Sequence, residues 1–305
     1  MKKLTPKATL WLVLILVMVW GINWPLTKLA LPDTPPIFFS GIRTLLGGVI
    51  LLLFAMRRRE TLRLRQNGWT YLVLAIFNIA GYYGLQTVGL RYLPAGLFST
   101  LVFLQPILLG LFSWMWLGER MFPLKVIGLV LGFGGVIVIS SGGMAGHLSV
   151  LGIVLGLASG LCWALGTIYM KKKSQQLDSI WAVTMQLILG GIILNGIGFM
   201  TEKWSDIHWT TSFIAILLFI SIFVIAMGWM IYFKLIDNGD AGTVGSYTFM
   251  IPVLSTVFSM VMLKESLTLT FVVGLVLIAG SVYLVNIKER IELSTKYQNG
   301  ETFED

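Results

Sequence analysis

The stretch AGLFSTLVFLQPILLGLFSWMWLGER, residues 95–120, recurs in altered form as AGTVGSYTFMIPVLSTVFSMVMLKES at residues 241–266. Both stretches carry a proline near the middle, Pro106 in the first and Pro252 in the second. The other identical pairs at this offset of 146 residues include Ala95/Ala241, Gly96/Gly242, Phe103/Phe249, Phe112/Phe258, Ser113/Ser259, Leu117/Leu263 and Glu119/Glu265. Apolar composition alone does not easily give so many matches at one offset, so the sequence indicates an internal duplication.

The duplication extends beyond these two stretches. GLVL at 128–131 matches GLVL at 274–277 at the same offset. An offset of 143 residues places Trp20 over Trp163, and it also places Lys28 over Lys171. The two halves therefore correspond from the first apolar run to the last.

The composition is that of an integral membrane protein. Of the 305 residues, 56% are hydrophobic and only 12% are charged. Soluble domains carry about 25% charged residues, so a soluble enzyme and a disordered chain are both disfavoured. A single cysteine, Cys162, excludes a disulfide scaffold. The net charge of +8 is better explained by basic residues that flank membrane spans than by nucleic-acid binding.

Ten apolar runs are long enough to cross a bilayer as helices. They do not alternate between apolar and polar residues, which disfavours a membrane barrel. The first run is predicted to be a retained span because no signal-peptide cleavage site follows it. The predicted spans are 9–30, 37–56, 69–90, 95–117, 122–141, 150–170, 180–200, 212–234, 242–263 and 269–287.

The basic residues predict the orientation. In the ten-span arrangement, 17 of the 22 Lys and Arg residues fall on the side that holds both termini. The remainder are Lys28, Arg43, Arg91, Lys203 and Lys264. The positive-inside rule then predicts a multi-pass protein of the cell membrane with both termini cytoplasmic and loop 141–149 outside.

Each half contains an odd number of spans, so the second half enters the membrane inverted. We expect two five-helix repeats, 8–141 and 150–287, and a cytoplasmic tail, 288–305. Inverted repeats are typical of secondary transporters, which bind their solute between the repeats. Duplication without transport is the alternative.

The segment WGINWP at 20–25 resembles the first-span motif of EamA-type transporters, which belong to the drug/metabolite transporter superfamily. The span endings from Pro106 to Glu119 and from Pro252 to Glu265 resemble that family too. The resemblance covers about 8–290. It implies ten helices, a central cavity lined mainly by spans 1, 3, 4, 6, 8 and 9, and export of amino acids or related metabolites. Lys264 departs from the pattern, since the first repeat has Gly118 there.

Polar and aromatic side chains inside the spans are the candidate solute-binding residues, because polar groups in a bilayer usually face a partner or a cavity. One face of span one carries Trp20, Asn23, Trp24, Thr27 and Lys28, next to Pro25; ordinary packing and interfacial anchoring are the alternative. One face of span three carries Asn78, Tyr82 and Gln86, for which interhelical hydrogen bonding is the alternative. The remaining candidates are Gln105, Trp163, Trp229, Tyr232 and Tyr247.

Lys28 and Arg43 fall near predicted external span ends, where the positive-inside rule disfavours them. One account is snorkelling to lipid head groups, or an ion pair between Lys28 and Asp33. The other is an electropositive vestibule that favours solutes with a carboxylate or phosphate. Arg43 suits that role better, because its planar fork binds anions bidentately.

No Asp or Glu lies in the middle of a predicted span, which disfavours proton-coupled cation antiport. HExxH, GxSxG and GxxxxGK[ST] do not occur in the sequence, which argues against a metalloprotease, a serine hydrolase and an ATP-driven pump. We expect no catalytic residue, metal or cofactor. The predicted function is secondary-active export of a small metabolite such as an amino acid.

Drug efflux, an intramembrane enzyme, and a lipid-handling or sensor membrane protein are the competing functions. The expected partners are a small-molecule solute and the lipid bilayer, without nucleic acid. Because both repeats lie in one chain, a monomer is sufficient, and a dimer remains open.

Overall fold

A computed structural model describes residues 4–93, 95–103, 105–119, 121–141, 149–239, 241–263, 269–270, 272–281 and 283–284. These residues form helices and short connections, without a strand among them. The helices of the first half are α1 (Pro6–Ala30), α2 (Pro36–Ala55), α3 (Leu64–Leu74), α4 (Tyr82–Gly89), α5 (Ala95–Val102), α6 (Gln105–Leu117) and α7 (Pro123–Ser141). The second half contains α8 (Val150–Lys173), α9 (Ser179–Thr201), α10 (Thr211–Phe219), α11 (Gly228–Asn238), α12 (Ala241–Tyr247), α13 (Met250–Leu263) and α14 (Val272–Ser281).

Seven helical segments among the described residues are long and apolar enough to cross a membrane: Pro6–Asp33, Pro36–Thr61, Leu64–Gly89, Val150–Gln176, Ser179–Thr201, Thr211–Asn238 and Thr243–Met262. They support a multi-pass helical membrane protein. Three shorter apolar helices, α6, α7 and α14, fall within predicted spans four, five and ten. The count of ten spans stays a prediction. Loop residues 142–148, Arg120, Lys264, Glu265 and the tail 288–305 lie outside the described residues.

Helix starts follow local sequence signals. Thr5 precedes α1 and its hydroxyl accepts a hydrogen bond from the Ala8 backbone N–H, while Pro6 occupies the first helical position. Asp178 precedes α9 and its carboxylate accepts from the backbone N–H groups of Ile180 and Trp181. Both arrangements pair N–H groups that the helix itself leaves without partners.

Predicted spans four and nine are not continuous helices. Span four is divided into α5 and α6, and span nine into α12 and α13. Each division falls just before the shared proline. Because proline has no N–H, the carbonyl four residues earlier, at Val102 or Thr248, loses its helical donor. The Val102 carbonyl packs against Gly160 on α8, where an added Cβ would lie 2.7 Å from its oxygen.

Predicted spans three and eight each contain a π-helical segment. These segments are Ala75–Gly81, between α3 and α4, and Ile220–Met227, between α10 and α11. The helices that follow begin 146 residues apart, at Tyr82 and Gly228. π-Helical turns occur often at functional sites, and here they recur at matching places in both halves.

Helices α2 and α9 form the most extensive contact between the described parts of the two halves, and each carries a glycine pair 143 residues from the other. A Cβ added at Gly48 would lie 2.8 Å from Ile188 Cγ1, and one added at Gly191 would lie 2.7 Å from the Leu45 nitrogen. Small residues allow such close approach in membranes. Other contacts also join the two halves. Helix α1 of the first half packs on α13 and α11 of the second, and α8 of the second half packs on α6 and α4 of the first.

Candidate solute-binding site

A cavity lies where α1, α4, α8, α13, the π-helical segment before α11 and the end of α5 meet. Its lining residues are Trp20, Asn23, Trp24, Tyr82, Tyr83, Phe103, Trp163, Val224 and Ile251. The volume in which the centre of a water molecule can lie is only about 10 Å³ in this cavity. That is space for about one water molecule. A larger solute requires the lining side chains to move apart.

Aromatic rings from both halves meet at this point. The centroid of Trp20 lies 5.4 Å from that of its repeat mate Trp163, with the rings nearly edge to face. Tyr82 lies 5.0 Å from Trp163, and Tyr232 lies 5.1 Å from Trp20. Such geometries are the favoured ones for aromatic pairs. The predicted concentration of aromatic residues therefore forms one contiguous cluster.

Hydrogen bonds of good geometry fix two of the indoles, and a third indole lacks one among the described residues. Trp20 Nε1 donates to the carbonyl of Val224 at 3.0 Å, and Trp229 Nε1 donates to the Tyr83 hydroxyl at 2.9 Å. Trp163 Nε1 is buried and lies near the Tyr232 hydroxyl, but it makes no hydrogen bond of good geometry among the described residues. A buried donor without a partner is costly, so Trp163 is suited to donate to a solute acceptor.

Asn23 contributes the amide of the cavity wall. Its Oδ1 accepts a hydrogen bond from the Thr27 hydroxyl at 3.3 Å. Trp24, the next residue along the chain, packs on Phe98 and Phe103 with centroid distances of 6.5 and 6.4 Å. The predicted face of α1 thus reaches the cavity as far as Trp24, and Thr27 lies one layer behind.

Arg43 lies behind the cavity wall and is fully buried. Its Nη1 and Nη2 donate to the hydroxyls of Thr27 and Thr87, each at 3.1 Å. Its Cζ lies 4.8 Å from the ring centroids of both Phe39 and Tyr83, within cation–π distance. No carboxylate among the described residues forms an ion pair with it.

Neither account fits the buried position of Arg43, whereas the exposed side chain of Lys28 is compatible with snorkelling. Arg43 neither snorkels to head groups nor faces an open vestibule, because helices α1, α2 and α4 enclose it. Lys28 is exposed and leaves the buried face of α1, so it is not part of the cavity wall. Within the described residues Lys28 forms no ion pair with Asp33, whose carboxylate instead accepts from the Thr210 hydroxyl at 3.2 Å.

The other predicted residues lie outside the cavity lining. Asn78 donates to Gln186 Oε1 at 3.0 Å, which is a hydrogen bond between helices, the alternative role considered for this residue. Gln105 donates to the Tyr232 hydroxyl at 3.4 Å, and neither residue is among the lining residues, so both form a second layer around the cavity. Gln86 and Trp229 are buried near the lining, and Tyr247 is half-buried on α12; none of these three is a lining residue.

Four lining residues were not predicted: Tyr83, Phe103, Val224 and Ile251. The repeat carries the signal that identifies two of them. At the offset of 146, Val224 matches Asn78 and Ile251 matches Gln105, so the polar candidates of one half mark apolar lining positions in the other. Without the repeat, Val224 and Ile251 cannot be identified as lining residues, because an aliphatic residue in an apolar span is not distinctive.

The described residues offer little for other chemistry. No three His, Cys, Asp or Glu side chains in that part of the chain come close enough together to hold a metal ion. The cavity lining contains no carboxylate, imidazole or thiol. Its chemistry is that of non-covalent binding through aromatic faces and neutral hydrogen-bonding groups.

The EamA-like transporter family model matches residues 7–141 and 150–287. The chain is 54% identical over 292 residues, covering 96% of each protein, to the uncharacterized transporter YvbV of Bacillus subtilis strain 168. It is 28% identical over 287 residues to a probable amino-acid metabolite efflux pump of Escherichia coli K12, covering 90% of this chain and 93% of that protein. A solved crystal structure has the same fold, with a TM-score of 0.81 and 18% identity over 94% of this chain and 99% of that one. The family names and relatives indicate a transporter rather than an enzyme, and the chain belongs to the EamA-like transporter family.

Proposed function

We propose that this protein is a secondary-active carrier that exports a small metabolite, such as an amino acid or a related compound, by alternating access to the aromatic cavity. The observation that carries the proposal is the cavity itself, whose wall is built from both halves and contains Trp20 and its repeat mate Trp163. The name of the Escherichia coli relative, which describes an amino-acid metabolite efflux pump, supports the substrate class.

The lining favours a solute with one apolar or aromatic part and one polar part. Six of the nine lining residues are aromatic, and they offer faces on which a flat or branched apolar group can pack. Asn23 and the Trp163 N–H, which makes no hydrogen bond of good geometry among the described residues, supply neutral hydrogen-bonding groups at the same place. The buried charge of Arg43, one layer behind, favours an anionic group on the solute.

We propose that the chain forms ten spans, arranged as inverted repeats over 8–141 and 150–287, with both termini in the cytoplasm of a cell-membrane protein. The split of basic residues supports the orientation. The matched helix breaks, the matched π-helical segments and the exchanged contacts between halves support the repeats. One chain builds the whole cavity, so a monomer is sufficient for transport, and a dimer is compatible with it.

Transport would follow from two conformations that the repeat relates. In each, one half adopts the arrangement that the other half adopts in the alternate state, so the cavity opens to opposite sides. The helix breaks before Pro106 and Pro252 give α5/α6 and α12/α13 places at which to bend. A solute that packs on the cavity wall in both states can then cross without a continuous channel.

The test is efflux from proteoliposomes loaded with a panel of labelled amino acids and related metabolites. We expect flux of at least one solute with an aromatic or branched apolar side chain. Trp163→Ala should lower that flux about tenfold or more, whereas Trp114→Ala, which alters an exposed tryptophan, should leave it unchanged. Absence of flux for every water-soluble member of the panel would overturn the proposal.

Drug efflux is the second candidate, because aromatic rings can hold an apolar cation by cation–π contact. The buried Arg43 and the lack of a carboxylate in the lining disfavour a cationic solute. Including a quaternary ammonium dye in the same panel decides between the two functions.

A further inference from the structure

Lys171, at the end of α8, fastens that helix to the end of α11. Its ammonium group donates to the carbonyl of Ile236 and, at 2.8 Å, to the carbonyl of Gly239. The last carbonyls of a helix lack N–H partners and carry partial negative charge, so a cation there is stabilised. Lysine has three donors on a flexible stem, which allows one side chain to bond two carbonyls and to release them.

Two further hydrogen bonds hold the same end of the bundle. Glu119, just after α6, accepts a hydrogen bond from the Ala241 backbone N–H at 2.7 Å, where α12 begins. Ser179, at the start of α9, donates to Asp237 on α11. The junction between α11 and α12 is therefore held by contacts from α8, α9 and the end of α6, and the basic residues predict that this end of the bundle faces the cytoplasm.

The opposite end contains the matching parts without the matching bond. Lys28 is the repeat mate of Lys171 at the offset of 143 residues. At the offset of 146 residues, Leu90 corresponds to Ile236 and Leu93 to Gly239. Lys28 is exposed and forms no hydrogen bond or ion pair among the described residues. The Leu90 carbonyl has no helical donor available, because residue 94 is a proline and has no N–H.

We propose that Lys171 and Lys28 are alternating ties of the transport cycle. In the present state Lys171 holds the cytoplasmic end shut. In the opposite state Lys171 releases the carbonyls at the end of α11, and Lys28 bonds those of Leu90 and Leu93 to shut the outer end. The inference rests on the proposed alternating-access function, and it adds the residues that select between the two states.

Thiol labelling of the cavity from each side of the membrane tests this. In a Cys162→Ala background, Ile251→Cys places a single thiol in the cavity wall. A membrane-impermeant maleimide is added to right-side-out or inside-out vesicles, and the ratio of the two labelling rates is measured. No solute is needed, so a failure of the flux experiment and a failure of this one are separate results.

Lys171→Gln should shift the ratio about tenfold toward cytoplasmic labelling, and Lys28→Gln should shift it in the opposite direction. The matched controls are Lys172→Gln, which alters the exposed neighbour of Lys171, and Arg91→Gln, which alters an exposed cation near Leu90. Both controls should keep the parental ratio. Lys171→Arg should largely restore it, because a cation that can bond carbonyls is retained.

Shifts of both lysine variants in the same direction would overturn the proposal, as would a Lys28→Gln ratio equal to that of Arg91→Gln. If Lys171→Gln does not fold, Lys28→Gln alone decides, since its exposed side chain can be changed without disturbing packing. The double variant should return the ratio toward the parental value, which mere loss of stability would not do.

Discussion

Replacing Arg43 with glutamine should remove the preference of the carrier for solutes with a negative group. Two hydrogen bonds, 3.1 Å from Arg43 to Thr27 and 3.3 Å from Thr27 to Asn23, connect the guanidinium to the cavity wall. A solute carboxylate in contact with Asn23 would therefore lie about 8 Å from the charge. At an effective dielectric constant of about 20, opposite charges at that distance attract by about 2 kcal/mol.

An energy of about 2 kcal/mol corresponds to about a 30-fold difference in affinity. The assay compares, in proteoliposomes, the competition of an aromatic amino acid with that of its amide, which lacks the carboxylate. Wild-type protein should prefer the amino acid by about that factor, and Arg43→Gln should bring the two close to equality. Arg43→Lys should retain part of the preference, because a point charge remains without the planar fork.

Stability is the control in this experiment. Arg43→Gln removes two charge-assisted hydrogen bonds and two ring contacts, so the melting temperature in detergent should fall. Thr27 and Thr87 keep other partners, Asn23 and the Tyr83 carbonyl, which limits the loss. If Arg43→Gln keeps the full preference for the amino acid at matched protein levels, Arg43 is only a packing residue and the reasoning about solute charge fails.

Three further changes have defined outcomes. Gly166→Ala should lower the melting temperature in detergent by several degrees, because its Cβ would lie 2.0 Å from Asn78 Oδ1, whereas Gly134→Ala has no atom within 4 Å and should be neutral or stabilising. Glu202→Ala should cost about 1–3 kcal/mol in urea unfolding monitored by tryptophan fluorescence, since its carboxylate accepts from the first two N–H groups of α2 at 2.9 and 2.8 Å; an unchanged midpoint would contradict this. Trp163→Phe keeps an aromatic ring but loses the N–H, so it should raise the KM for the solute several-fold at nearly constant maximal flux; a loss of maximal flux alone would argue against a role in binding.

Hydrophobic runs and the internal offset predicted the helical membrane class, because both depend on long stretches of chain. They did not predict the breaks before Pro106 and Pro252, or the π-helical segments. A proline in an apolar run is compatible with a kink as well as with a break, and the tertiary contact of the Val102 carbonyl with Gly160 accompanies the break here. Such a contact joins residues far apart in sequence.

The candidate site was predictable where a side chain is distinctive. Trp20, Asn23, Tyr82 and Trp163 stand out as polar or aromatic residues in apolar spans, and they line the cavity. For Arg43 the sequence predicted either a head-group anchor or a residue of an open vestibule, since its position near a predicted span end gives no hint that α1 and α4 enclose it. Whether a polar residue faces a cavity or a neighbouring helix depends on helix rotation, as Asn78 and its bond to Gln186 illustrate.

Counterflow in proteoliposomes tests the central claim most directly. Vesicles are loaded with an unlabelled solute identified by the efflux panel, and labelled solute is added outside at trace concentration. A carrier that alternates access exchanges one molecule for another, so the label should accumulate transiently above its outside concentration and then decline, and Trp163→Ala should abolish this. Label that only equilibrates, or that never enters, would contradict alternating access through the aromatic cavity.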